Sequence, residues 1–365
     1  LPDYDMLGRH IVDTHDGYVV AGSIYDDACP CGKALIIKIN RKGKKLWQKD
    51  LGNRERASAF NKIVMVDNGM FLAGSVDERP GGPSEESIGW VVKLRPDGTV
   101  EWDKRLQFGR VTRAMDVGRT KNGVAVVGRV RQGEYEDSGF IAEFNYKGEL
   151  LWTKHIQRPY WLDFVHPLKK GGFLTGDNGW IAVLDNSGNI LWENSLSDYK
   201  YDSKSAEDSP LSRLRAAVNE YKYDFAAAVV ELTDGDIILG GQAGQHIWMS
   251  RLSSGGKLIW NKKIEISGSC GLAGMWQYKE ELRAIGSTCG TEPERIWGAS
   301  FSISGDIKAV RKYLTADVNK GEIEQAVPVE DDKFMAFGGA KEQKKSAPSI
   351  WVFKSSFNFD AVKEK

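Results

Sequence analysis

A segment ending in glycine recurs seven times: DGYVVAG (16–22), NGMFLAG (68–74), NGVAVVG (122–128), GGFLTG (171–176), DGDIILG (234–240), ELRAIG (281–286) and KFMAFG (333–338). Successive closing glycines lie 52, 54, 48, 64, 46 and 52 residues apart. A second element follows each time: an apolar strand, a tight turn and another strand, as in ALIIKINRKGKKLW and GFIAEFNYKGELLW. In the first five units a Trp stands four residues after the turn glycine: Gly43/Trp47, Gly98/Trp102, Gly148/Trp152, Gly188/Trp192 and Gly256/Trp260. Ala309 and Ala361 take that place in the last two. A unit of this length cannot bury both faces of its own sheet, so the units must stack on one another.

Each unit reads as four short strands: a variable one, the Gly-ended one, the apolar one and the Trp one. D-G and N-G signals between them favour antiparallel hairpins. The expected fold is all-β: one seven-bladed β-propeller of four-stranded antiparallel blades spanning 1–365. The blades are expected at about 1–52, 53–106, 107–156, 157–196, 222–264, 265–314 and 315–365. The chain is read as starting on a first strand and ending on a fourth. An insertion, 197–221, separates the fourth and fifth units. There Ser209-Pro210 resembles a helix start, and Leu211, Leu214, Val218 and Tyr221 follow at helical spacing, so a short amphipathic helix is expected.

The strand–turn–Trp element resembles the repeat of the pyrroloquinoline-quinone-like (quinoprotein-like) propeller superfamily, and the GYVVAG strand resembles repeats of its secreted bacterial and archaeal seven-bladed members. The resemblance covers nearly the whole chain. It implies a fold and not an activity, because the shared residues are scaffold residues. Quinoprotein dehydrogenases of that superfamily commonly have eight blades and adjacent cysteines beside the cofactor. Here there are seven units, and Pro30 separates Cys29 from Cys31. No cofactor is expected.

The chain has 12 Trp, and the repeat sorts ten of them. Five are the strand-end residues above. Trp90, Trp180, Trp248, Trp297 and Trp351 share one register of the apolar strand, with Leu35 and Phe140 in the same place elsewhere. A position that recurs in every unit is a packing position between neighbours. Trp161 and Trp276 fit neither register and are the two considered for ligand contact.

In such units the first-to-second and third-to-fourth turns share one face, and here they are short. The second-to-third loops and inter-unit links share the other, and they vary (25–33, 76–86, 129–138, 288–295, 340–348). Variable loops on a rigid scaffold carry binding, so the long-loop face is read as the functional one. Aligning the entries to the first strands gives one register of Tyr4, Arg56, Arg110, Arg158, Lys222, Gly268 and Lys320, five of them basic, with Arg54 and Arg113 nearby. Converging near a channel mouth, they would attract an anion. Trp161, three residues after Arg158, could stack on a sugar or pack against an Arg. Asp116, Asp163, Glu322 and Glu324, on first strands, are candidate acid–base groups.

Cys270 and Cys289 flank the hairpin of the sixth unit at equal distances from its turn and are expected to form a disulfide; Cys29 and Cys31 fit a loop-stapling bridge, a redox pair or half a metal site. Such bridges, if formed, imply a periplasmic or secreted protein, and a start at Leu-Pro without Met is consistent with a removed signal peptide. The five His are scattered, those at turns being read as solvated, and no metal set, catalytic motif or phosphate loop is present. Lys plus Arg is 50 and Asp plus Glu is 50, which argues against nucleic acid as a partner. No apolar run has the roughly 20 residues of a membrane helix. The reading is a non-catalytic binding module for a protein partner or an acidic glycan. The alternatives are a propeller enzyme (a quinoprotein oxidoreductase, or a glycan lyase or hydrolase) and an envelope assembly scaffold.

Overall fold

The computed structural model describes residues 5–26, 29–52, 56–77, 86–133, 137–157, 161–177, 180–195, 226–243, 246–288, 294–314, 321–329, 332–341 and 348–357. The first sheet holds β1 (Asp5–Thr14), β2 (Gly17–Asp26), β3 (Cys29–Asn40) and β4 (Lys45–Leu51). A second holds β5 (Ser58–Val66), β6 (Gly69–Asp77), β7 (Ser87–Leu94), β8 (Val100–Leu106), β9 (Val111–Arg119), β10 (Gly123–Arg131), β11 (Asp137–Asn145) and β12 (Leu150–Ile156). Next come β13 (Phe164–Pro167), β14 (Phe173–Gly176), β15 (Trp180–Leu184) and β16 (Ile190–Ser195). They are followed by β17 (Ala226–Glu231), β18 (Ile237–Ala243), β19 (His246–Leu252) and β20 (Leu258–Ile264). The fifth sheet holds β21 (Ser269–Tyr278), β22 (Glu281–Thr288), β23 (Glu294–Ser302) and β24 (Ile307–Leu314). The last holds β25 (Gly321–Val329), β26 (Lys333–Lys341) and β27 (Pro348–Ser356).

This corrects the expectation of seven separate four-stranded blades with a helical insertion. The structure shows five blades, one of them doubled to eight strands, beside a three-stranded sheet. The doubling has a local cause. The link after β8 lays β9 beside β7, and one parallel bridge, Ser87 to Val111, joins two sequence units into one sheet. No helix occurs among the described residues; the 197–221 insertion and the expected final strand, 359–364, lie outside them.

The packing is cyclic. β1 lies against β5, β5 against β9, β9 against β13, β17 against β21, β21 against β25, and β25 against β1, so the first strands are innermost. Apolar clusters fill the wedges between neighbours. One joins Val19 and Ile36 to Phe60 and Leu72, another joins Ile238 and Met249 to Leu282 and Phe301. The ring closes where Ile11, Tyr18 and Val20 pack on Met335 and Phe337. There the Ile11 N–H donates to Gln325 Oε1 at 2.9 Å. This is a β-propeller.

Both tryptophan registers are packing positions. Trp90, Trp180, Trp248 and Trp297 are buried, as are Leu35 and Phe140. The strand-end tryptophans do something more specific. The turn glycine of each following unit rests on the ring: Gly98 on Trp47, Gly148 on Trp102, Gly188 on Trp152, Gly256 on Trp192 and Gly305 on Trp260. At Gly148, φ is +82° and an added Cβ would lie 2.8 Å from the Trp102 ring. At Gly43, φ is +78° but nothing lies within 4 Å. Gly43→Ala is therefore expected to cost only backbone strain, about 1 kcal/mol. Gly148→Ala adds a displaced indole and is expected to cost about 2–3 kcal/mol. Urea unfolding of both variants checks this; equal losses would mean that the docking contributes nothing.

The glycine closing each Gly-ended strand has a different cause. Opposite six of the seven the first strand bulges; β13, opposite Gly176, pairs without a bulge. Bulges follow Gly8, Phe60, Ala114, Ala226, Leu272 and Ile323, or lie one residue from them. The inward kink brings a carbonyl against the glycine: a Cβ on Gly128 would lie 1.9 Å from the Arg113 oxygen, and one on Gly22 1.9 Å from that of Leu7. Only glycine tolerates this approach.

Candidate functional site

The bulges re-aim polar side chains on the innermost strands toward their neighbours. Arg9 donates to Asn61 Oδ1 at 3.2 Å, and Asn61 donates to the Ala114 carbonyl at 2.9 Å. Lys62 stands 3.7 Å from Asp116. Asp116 accepts from the Val117 and Val165 N–H groups at 2.7 and 2.9 Å. The Gln325 amide lies 2.8 Å from His10 Nε2 while its oxygen accepts from Ile11. That arrangement leaves the ring proton on Nδ1. Burial foremost, then Lys62, holds His10 neutral, well below the usual imidazole range. His166, expected in solvent, lies half-buried on β13, and burial lowers its pKa against the pull of Glu231.

Asp163 belongs to this inner wall at the long-loop end. Its N–H donates to the Gly176 carbonyl at 2.8 Å, so it adjoins Asp177. Burial first, then the charges of Asp177 and Asp116, push its carboxyl up to about 7. Asp116 is raised too, chiefly by burial, with Lys62 opposing. Two of the four acid–base candidates are thus brought together. Glu324 sits apart, on the β25 bulge, and the Glu322 side chain lies outside the described residues. No group of three or more His, Cys, Asp or Glu among the described residues could hold a metal ion.

Just above Asp163, Trp161 is 39% exposed. The other clearly exposed large apolar groups among the described residues, such as Leu151, Leu191 and Ile259, lie on outermost strands beside the strand-end Trp positions. The Arg129 guanidinium lies over the Trp161 ring, 3.8 Å from its centroid. Asp137 holds Arg129 through two bonds of 3.2 and 2.9 Å and holds Arg131 through two more of 2.9 and 3.0 Å. Strand periodicity explains the pair, since residues two apart on β10 share a face. Leu162 is buried beneath and fits because Gly139 has no side chain. Two cations on one carboxylate leave net positive charge beside an exposed aromatic face. A similar stack stands on the neighbouring unit: Arg105 lies 4.3 Å over the Trp90 ring, and Trp90 donates to Asp103 at 3.2 Å. Burial, with the nearby Arg56 charge, lowers the Arg105 pKa against Asp103.

Of the basic register, Arg56 and Arg110 are exposed at the entries to β5 and β9, and Arg113 is half-buried on β9 as the cross-strand partner of Arg129. Arg158, Lys222, Lys320, Tyr4 and Arg54 lie outside the described residues. Trp276 is core filling, 5.7 Å from the Phe357 ring. Cys289 and the side chains of Cys29, Cys31 and Cys270 also lie outside the described residues. Arg129, Arg131 and Asp137 were not singled out from sequence; the R-x-R at the end of the third Gly-ended strand was the available signal.

No family model and no curated protein matches the chain, so the quinoprotein-like resemblance stays a resemblance. Solved structures do match, as propellers. The Neurospora crassa Pan2 WD40 domain aligns at a TM-score of 0.56 and 9% identity, over 91% of this chain and 86% of that one. A virginiamycin B lyase from Staphylococcus aureus aligns at 0.51 and 10%, over 92% and 96%. A puromycin hydrolase mutant aligns at 0.54 and 10%, over 93% of this chain but 52% of its own. Identities this low establish the fold alone, and their functions are mixed. No helix among the described residues is long and apolar enough to cross a membrane.

Proposed function

We propose that the long-loop face binds an anionic ligand, an acidic glycan in the first instance, without transforming it. The observation that carries this reading is the exposed Trp161 ring paired with an Arg129 held in place by Asp137. An aromatic face stacks on a sugar ring, and a preset guanidinium donates two parallel bonds to a carboxylate. Arg56 and Arg110 extend the positive surface along the same face. An acidic segment of a protein partner would use the same groups. We place the protein, in this reading, in the periplasm or outside the cell.

Trp161→Ala and Arg129→Gln are each expected to weaken binding of a uronic-acid oligosaccharide by about 10-fold or more, as for a lost charge-assisted bond. Binding should also weaken as salt rises. The melting temperature should barely move for Trp161→Ala, whose ring is exposed. Unchanged affinity in both variants, measured by calorimetry, would remove the site. A second reading follows from one observation. A carboxyl that keeps its proton near pH 7 is suited to general acid work. Product formation from the glycan, lost in Asp163→Asn, would favour a lyase or hydrolase.

A further inference from the structure

We infer that the segment 161–163, packed on β10 and facing Asp116 of β9, is a proton-operated joint: protonated Asp163 seats Trp161 against Arg129, and ionised Asp163 displaces it. The binding half of this inference rests on the proposed anion site; the joint does not.

Three carboxylates from three elements lie in this neighbourhood: Asp116 accepts from the N–H of Val165, two residues after Asp163, and Asp177 follows Gly176, whose carbonyl accepts from the Asp163 N–H. Asp116, on β9, is fixed by two backbone donors and faced by Lys62 from β5. Asp177, after β14, accepts from the Trp180 N–H at 2.7 Å. Both are buried. Among the described residues no hydrogen bond reaches the Asp163 carboxyl. The remaining charges on the surrounding elements are committed elsewhere. Arg129 and Arg131 on β10 hold Asp137, and His166 on β13 faces Glu231 of β17 together with Lys169 and Lys62. Arg113, on β9, lies toward the mouth across from Arg129. Among the described residues, Asp163 therefore faces two negative groups and no cation bonds its carboxyl. Its perturbed ionisation agrees with this geometry.

The mechanical coupling is short. Leu162 is buried between the two residues, with its N–H 3.4 Å from the Gly128 carbonyl. An ionised Asp163, repelled by Asp116 and Asp177, moves toward water. Leu162 acts as the pivot, and Trp161, one residue beyond, shifts from the guanidinium. A uronic acid stays ionised from pH 6 to 8, so any pH dependence of its binding in that range belongs to the protein.

The test begins with ligand-free protein. The tryptophan fluorescence of the wild type, less that of Trp161→Phe, is followed from pH 5 to 9. One transition near pH 7 is expected, absent in Asp163→Asn, which should hold the low-pH signal throughout. Asp177→Asn keeps the capping acceptor and removes a charge, so its midpoint should fall by about one pH unit. A flat wild-type difference signal, or a transition that survives in Asp163→Asn, overturns the joint. If Asp163→Asn does not fold, an unmoved midpoint in Asp177→Asn overturns it. In the second arm, uronic-acid oligosaccharide should bind the wild type about 10-fold more tightly at pH 6 than at pH 8, and Asp163→Asn equally at both. A fluorescence transition with no binding at any pH defeats the proposed function and leaves the joint. A transition with pH-independent binding defeats the coupling.

Discussion

Trp297→Ala is expected to lower the unfolding free energy by about 3–5 kcal/mol, the range for deleting a large buried aromatic. The ring is fully buried in the wedge between the β17–β20 and β21–β24 sheets, with Leu282 and Phe301 in the same cluster. Its Nε1 donates to the Ser287 carbonyl at 3.0 Å, and alanine would strand that oxygen in a dry interior. The surroundings collapse poorly, because Gly286 was already pressed to the ring: a Cβ there would lie 2.3 Å from it. Trp248 supplies the contrast. It occupies the same register and is equally buried, but its Nε1 has no partner among the described residues. Trp297→Phe should therefore cost about 1–3 kcal/mol more than Trp248→Phe, the penalty for an orphaned buried acceptor. Equilibrium urea unfolding with an unchanged m-value measures both differences. A loss under about 1 kcal/mol for Trp297→Ala would mean that the wedge is loosely packed.

The second large effect is in the pH dependence of stability. The Asp163 carboxyl is raised from 3.8 to about 7 in the folded protein. Between those values the folded state holds a proton that the unfolded state has released. Stability therefore falls as pH rises through this window, is unaffected by this group below it, and levels off above pH 7. A shift of about three units corresponds to at most about 4 kcal/mol, less whatever solvent screening removes from a partly accessible group. Asp163→Asn keeps the shape and discards the charge. It is expected to be more stable than the wild type at pH 8 by about 2–4 kcal/mol, and to match it near pH 4. Thermal unfolding across that range is the measurement. A variant less stable than the wild type at pH 8 would show that the carboxylate is held by something favourable.

The packing plan was legible in the sequence because it repeats. Trp90, Trp180, Trp248 and Trp297 stand at one register, and each is buried. The variability of the loop face was legible for the same reason, by contrast with the uniform turns. What escaped was everything set by hydrogen-bond register between units. The bridge from Ser87 to Val111 that doubles one sheet joins residues 24 apart in different units, and no local pattern announces it. The bulges escaped too, although six of the seven closing glycines were their mark. The expected Cys270–Cys289 bridge falls on residues outside the described ones and stays an expectation. At the site, Trp161 stood out because it broke the register. Its partners did not, because Arg129 and Arg131 meet Asp137 only once β10 and β11 pair. The proximity of Asp116, Asp163 and Asp177 likewise depends on how β9 meets β13.

The tryptophan-on-glycine contacts all point one way along the chain. Trp47 needs the turn at Gly98, Trp102 needs Gly148, Trp152 needs Gly188, Trp192 needs Gly256 and Trp260 needs Gly305. Each of the first five units contributes an indole for which its successor holds the seat. During synthesis, a unit that has left the ribosome keeps that indole in water until the following unit emerges. Folding on the ribosome is thus ratcheted: each newly made turn completes the unit before it. The first sheet has the longest wait of all, because its free side is covered only when β26 arrives to meet Ile11, Tyr18 and Val20.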